Sequence, residues 1–296
     1  MISKHLLGFI DKVFNGERPQ NIPVNVHYEY EIKYGEDEMH VADLFRPLDG
    51  GINGVILNIH GGGFIAGCRK GLREFCGILA SHGYFVFSID YPLAPRKIHP
   101  HPISSTLDAL RYLADNAEEL GINIDNVFLT GDSAGCYFAA YAIAALNDEA
   151  VRAKLFGDEY NGLTERINIS GCMLYCGIYC MDTAMRTFPR FIFGDMVREY
   201  FGLKSREYWR HGDRESLSPI RIINGSFPPA LIVYAGKDPV KKQSVMMIER
   251  LKESGVEADG YFEAKGGHDF QLSLHKEHAK KCMAYTLEWL DNISNR

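Results

Sequence analysis

The chain has 296 residues, 46% of them apolar and 24% charged, the balance of a folded globular protein rather than a disordered or collagen-like one. A formal net charge of -6 leaves no cationic footprint for phosphates, so nucleic acid is set aside as a partner. Cysteine is present in an odd number, seven, and the chain does not start with a secretory pattern, which points to a reduced cytoplasm.

From Val24 to Tyr34 the residues Val24, Val26, Tyr28, Tyr30, Ile32 and Tyr34 alternate with polar ones, the period of a half-buried strand. Met39 to Arg46 is expected to pair back antiparallel after the turn at Gly35. The pattern then changes to short continuous apolar runs, Val55–Ile59, Phe85–Ile89, Val127–Thr130, Cys172–Tyr175 and Ala230–Tyr234, as in strands buried on both faces. Between them Leu72–Ala80, Ser104–Ala117, Ala134–Leu146 and Ser244–Glu253 have the length and spacing of helices. Gly260–Ala264 is the last strand candidate, and Ala279, Cys282, Met283, Thr286, Trp289 and Leu290 form the apolar stripe of a terminal helix. An α/β fold with a mostly parallel, doubly wound sheet follows.

The longest apolar run, Phe138 to Leu146, falls well short of the roughly 20 residues that cross a bilayer, so no membrane span is expected. Cys172, Cys176 and Cys180 invite a metal reading, but eight strand residues span roughly 26 Å, too far for one ion. No metal is expected, and the thiols read as small buried hydrophobes. Between Ile178 and Ser218 the rhythm breaks in a stretch rich in Phe, Tyr, Arg and Asp, interrupted by Pro189 and Gly202. An insertion of this size reads as a functional cap, and Phe188, Phe191, Phe193, Tyr200, Phe201, Tyr208 and Trp209 either line a pocket or form the cap's own core.

Gly131-Asp132-Ser133-Ala134-Gly135 lies between a strand and a helix, the setting of a nucleophile elbow whose two glycines relieve crowding and expose the Ser133 hydroxyl. His60-Gly61-Gly62-Gly63-Phe64 follows the strand Val55–Ile59, and such a glycine run can aim backbone N–H groups at an oxygen that becomes negative.

HGGGF, then Asp90-Tyr91-Pro92-Leu93-Ala94-Pro95, then GDSAG resembles the hormone-sensitive-lipase-like family of α/β-hydrolase esterases and lipases, from about Val55 to Phe270 and more loosely before it. The resemblance implies a catalytic Asp and His after the last strands, in the chain order Ser, Asp, His. Asp238 in Gly236-Lys237-Asp238-Pro239 and His268 in Gly266-Gly267-His268-Asp269 fit. Asp269 ranks second as the partner of His268, because neighbouring loop side chains seldom point the same way. His99, His101, His275 and His278 are expected to be structural or at the surface, the last two on the terminal helix.

The resemblance further implies that Gly62, Gly63 and Ala134 donate N–H groups to the oxyanion and that His60 holds the glycine loop. It implies a single domain over 1–296 with cap elements at about 1–23 and 178–218. The chain departs from the family pattern at Cys136, where another Gly is usual, and at Asp269, where a Gly often follows the His. The implied activity is cofactor-free hydrolysis of small-molecule carboxylic esters through an acyl-enzyme, and the small aromatic insertion, with no long amphipathic stretch to open onto lipid, favours short acyl chains. Amidase, arylformamidase-like or peptidase chemistry stays open because the same triad serves it. A non-catalytic binding protein is a third reading, disfavoured because no triad member is missing. Self-association into a homo-oligomer also stays open.

Overall fold

The computed structural model describes residues 21–187 and 190–296. The expected cap segment at about 1–23 lies outside the described residues apart from 21–23, as do Phe188, Pro189 and the side chains of Phe191 and Phe193.

The strands are β1 (Val26–Lys33), β2 (Val41–Pro47), β3 (Gly54–Ile59), β4 (Tyr84–Ile89), β5 (Val127–Asp132), β6 (Ile169–Tyr175), β7 (Ala230–Ala235) and β8 (Ala258–Glu263). They form one sheet in the order β1-β2-β4-β3-β5-β6-β7-β8. The pairs β1/β2 and β2/β4 are antiparallel and every other pair is parallel.

The continuous apolar runs sit where the sheet is covered on both sides, and their residues alternate between two cores. Leu57, Leu129, Leu174 and Ile232 pack on α2 (His101–Asp115), α3 (Ala134–Asn147) and α8 (Lys241–Glu253). Ile56, Phe128, Met173 and Leu231 meet Phe75 and Leu79 of α1 (Arg73–Ser81) and Cys282, Trp289 and Leu290 of α9 (Glu277–Ser294). Burying each such side chain stabilises the fold by about 1.5–3 kcal/mol. The remaining labelled helices are α4 (Glu149–Phe156) and, in the excursion, α5 (Met181–Thr187), α6 (Arg190–Phe201) and α7 (Ser205–Arg210).

The first strand departs from the half-buried reading. Val24 is 96% exposed and Tyr28 47% exposed. β1 is the edge strand, and its register with β2 shifts between Glu29 and Ile32, with Glu31 in left-handed backbone. Such a bulge breaks the two-residue period that the sequence displays. Tyr30 lies under the Arg73 guanidinium, 3.6 Å from its ring centre, rather than in a core.

Residues 178–218 leave the sheet after β6, and both ends of this excursion are stapled near α3. Met181 N–H donates to Ser218 Oγ and Ile220 N–H to the Tyr179 carbonyl. On α3, the Tyr137 and Tyr141 hydroxyls donate to the carbonyls of Leu217 and Ser216. Buried Gln243 of α8 accepts from the N–H groups of Tyr179 and Cys180 and donates to the Cys180 carbonyl. Tyr200, at the end of α6, stacks on Phe64 at 4.5 Å and meets Tyr137 edge-on at 5.7 Å. Tyr200, Phe201 and Tyr208 are buried, so these aromatics are core. Trp209 instead lines a cavity of about 720 Å³ with Met185, Arg186, Arg198, Lys204 and Arg206. Among the described residues no helix is long and apolar enough to cross a membrane.

Candidate active site

The carboxyl ends of the central parallel strands bring the expected residues together, as open α/β sheets do. Ser133 sits between β5 and α3 with φ 50° and ψ -113°, a conformation costly for any residue with a Cβ. The glycines of the turn are required by contact. A Cβ on Gly135 would strike the Ile59 carbonyl, and one on Gly131 would strike the backbone of Gly135 and Cys136. The turn is held by Ser133 N–H donating to the Tyr175 carbonyl at 2.9 Å. Cys136 fits beneath it, its thiol 3.0 Å from the Gly131 carbonyl and 3.2 Å from that of Tyr175.

His268, in the loop after β8, has Nε2 3.0 Å from Ser133 Oγ and Nδ1 3.0 Å from Asp238 Oδ1. Asp238, in the loop after β7, is buried, and the same Oδ1 accepts from Val240 N–H at 2.9 Å. The geometry is that of a hydroxyl, a base and an orienting carboxylate in series. Asp269 behaves otherwise than expected. Its left-handed backbone, φ 52°, swings the side chain toward its neighbour, and Oδ2 lies 3.4 Å from His268 Nε2. It therefore approaches the nitrogen that faces Ser133, while Asp238 takes the other.

Burial works against the charged imidazole, but the negative charge of Asp269, the hydrogen bond to Asp238 and the charges of Asp238 and Asp132 outweigh it and push His268 up to about 9. The resting ring is thus held toward its charged form.

Gly62 and Gly63 have φ 126° and 59°, and a Cβ on Gly62 would collide with the Ala66 carbonyl. Among the described residues, the N–H groups of Gly62, Gly63 and Ala134 meet no acceptor. Such free backbone donors beside a nucleophile suit an anionic oxygen. Met196 of α6 packs on Gly63 from the excursion side.

His60 is buried behind the loop, its ring stacked on Tyr91 at 4.3 Å and its Nδ1 2.6 Å from the Gly61 carbonyl. The support extends to residues with no periodic signal in the sequence. The Tyr91 hydroxyl donates to the His60 carbonyl at 2.6 Å, and Asp132 Oδ1 accepts from Gly61 N–H at 3.0 Å. Asp90 lies 3.6 Å from His60 Nε2 and accepts from Arg69, through the backbone N–H at 2.7 Å and the guanidinium. Asp43, fully buried on β2, accepts from Arg69 Nε at 2.8 Å and Arg73 Nε at 2.7 Å. Asp90, Tyr91 and Asp132 lie inside motifs of the sequence, whereas Asp43, Arg69 and Arg73 do not. An acidic residue in the apolar strand Val-Ala-Asp-Leu-Phe was the available sign of Asp43, since a buried charge needs a partner.

His99 contacts Tyr200 and Phe201, and His101 opens α2, whereas the imidazole that meets Ser133 is that of His268. His278 is on α9, but His275 precedes it.

A family model described as the alpha/beta hydrolase fold matches residues 56–272. An acetyl esterase of Salmonella schwarzengrund (strain CVM19633) is 26% identical over 207 residues, 67% of this chain and 59% of that protein. The acetyl esterase of Salmonella typhi is 28% identical over 203 residues, 66% of this chain and 58% of that protein. The chain thus spans less than two thirds of the length of these relatives. The crystal structure of esterase B from Lactobacillus Rhamnosis (HN001) superposes with a TM-score of 0.81 at 22% identity, over 99% of this chain and 96% of that one. A bacterial heroin esterase gives 0.74 at 22% identity, over 91% and 85%. With the strand order, the elbow and a family model spanning most of its length in agreement, the chain belongs to the alpha/beta hydrolase fold family.

Proposed function

We propose that the protein is a serine carboxylic-ester hydrolase acting on short-chain acyl esters through an acyl-enzyme. The observation that carries this reading is the series Ser133 Oγ to His268 Nε2 at 3.0 Å and His268 Nδ1 to Asp238 Oδ1 at 3.0 Å, set at an elbow beside free backbone donors. Ser133 attacks the ester carbonyl as His268 takes its proton, and Asp238 keeps the imidazole in the tautomer that accepts at Nε2. The N–H groups of Gly62, Gly63 and Ala134 stabilise the tetrahedral oxyanion, with His60 holding the glycine loop from behind. His268 then gives the proton to the leaving alcohol. Water repeats the sequence to release the acid.

Supporting the ester over the amide are the relatives named acetyl esterase and the neighbouring esterase structures. Residues 178–218, with the segment at about 1–23, act as a small cap of a single domain, whose aromatic core and Met196 over Gly63 limit the acyl tail. A reducing compartment such as the cytoplasm suits its free cysteines.

The test is a series of p-nitrophenyl esters with a matched anilide, run beside fluorophosphonate labelling. Acetyl to hexanoyl esters are expected to give the highest kcat/KM, the anilide far less, and Ser133→Ala neither turnover nor label. A label on another serine sinks the assignment, and an optimum at dodecanoyl or longer sinks the short-chain pocket.

A further inference from the structure

One nucleophilic side chain beside the triad has no part in this chemistry. Cys176 is the first residue after β6, held in left-handed backbone with φ 51°, its N–H donating to the Val233 carbonyl at 2.8 Å. That turn places a fully buried thiol among the triad groups. One ligand atom each from Cys176, His268 and Asp269 lies within 4.8 Å of the other two. The carboxylate of buried Asp238, whose Oδ2 receives no N–H or O–H among the described residues, faces the Cys176 thiol and adds its negative charge to the cluster. Of the three, the imidazole is the open one, with 26% of its side chain exposed against 7% for Asp269.

We propose that Cys176, His268 and Asp269 form an inhibitory site for a soft divalent cation, Zn²⁺ by preference, which switches the hydrolase off by taking the lone pair of its base. The donor set of one thiolate, one imidazole and one carboxylate is a zinc set, and the thiolate discriminates against Mg²⁺ and Ca²⁺, which want oxygen. Zinc–ligand bonds of about 2.0–2.3 Å put tetrahedral ligands roughly 3.3–3.7 Å apart, so the atoms must close in by about an ångström, within reach of side-chain rotation. As the Zn–S bond forms the thiol proton leaves to solvent, and any proton on Nε2 leaves with it; no electrons are transferred. The bound Nε2 can no longer accept the Ser133 proton. The fourth ligand is water.

Loss of activity rests on the serine-hydrolase reading, whereas metal binding does not, and two measurements separate them. In the first, chelator-stripped protein is titrated with Co²⁺ as a spectroscopic stand-in for Zn²⁺. Wild type is expected to show a thiolate-to-cobalt charge-transfer band at one equivalent, and Cys176→Ser to lose it. In the second, Zn²⁺ is expected to inhibit ester hydrolysis reversibly, EDTA to restore it, and Mg²⁺ to have no effect. The inhibition constant should rise at least tenfold in Cys176→Ser and in Asp269→Asn, each measured against that variant's own uninhibited rate. A wild type without the cobalt band, or a Cys176→Ser variant that keeps it, overturns the site whatever the activity, as does equal zinc inhibition of wild type and Cys176→Ser. A cobalt band in a protein that hydrolyses no ester would uphold the site and overturn the proposed function.

Discussion

His99 should make the protein acid-sensitive well above the pH at which carboxylates titrate. It lies between the core and the end of α6, with its N–H donating to the Tyr200 carbonyl at 2.9 Å and its ring 5.3 Å from Phe201 and 5.8 Å from Tyr141 and Tyr200. Burial among these rings pulls its pKa down from 6.5 to about 4. The folded protein therefore holds the neutral ring at pH values where the unfolded chain already binds the proton. Stability is full above about pH 6.5, declines as pH falls, and the His99 contribution is fully lost below about pH 4. Between pH 7.5 and 5 linkage gives a loss of about 2 kcal/mol, worth roughly 3 °C in Tm for a chain of this size. The perturbation is His99→Phe, which keeps an aromatic ring in the packing but cannot titrate. Urea midpoints at pH 7.5 and 5 are measured for both proteins, and wild type should lose about 2 kcal/mol more than the variant over that range. Parallel pH curves would show that His99 is charged or solvated in the native protein and refute the argument.

Asp238→Asn should lower kcat by about four orders of magnitude with little change in KM, since the amide favours the wrong tautomer of His268; full activity would transfer the role to Asp269. With EDTA in the buffer, kcat/KM of the wild type should climb until about pH 9, because only the neutral imidazole accepts a proton. Asp269→Asn removes the first of the charges that raise His268, so its rising limb should move to lower pH; a profile identical to wild type would refute the reading. Asp43→Ala removes one of the two carboxylates that hold the buried Arg69, Asp90 remaining, and should cost about 1.5–3 kcal/mol of stability, the worth of a hydrogen bond to a charged group, read as a lower urea midpoint at neutral pH.

The parts legible in the sequence are those with a local signature. Runs such as Val55–Ile59 are apolar throughout because both sheet faces are covered, and the elbow is readable because Gly131 and Gly135 must be bare where backbone meets backbone. What was not legible depends on residues far apart in the chain. The alternation of Val24 to Tyr34 is genuine, but the bulge at Glu31 and the edge position decide which side chains meet a core. Asp43, Arg69 and Asp90 come from three separate segments, so no spacing joins them. The rule that neighbouring loop side chains point apart does not describe Asp269, whose left-handed φ turns it toward Nε2 of His268 while Asp238 meets Nδ1.

The stapled roots of residues 178–218 make that stretch an exchangeable module. Chain leaves near Met181 and returns near Ser218, where Met181 N–H to Ser218 Oγ and Ile220 N–H to the Tyr179 carbonyl join the two ends, so a replacement starts and finishes at a fixed gap whatever its length. Loop-closure entropy grows only with the logarithm of length, and substitutes of quite different size should thus be accommodated at little thermodynamic cost. Among the contacts that tie the stretch to the body, Tyr200 rests on Phe64, next to the glycine loop. On the proposed reading of this stretch as a cap, substrate range would be rewritten through the module, by divergence or by grafting, provided that the incoming sequence returns an aromatic ring to that spot.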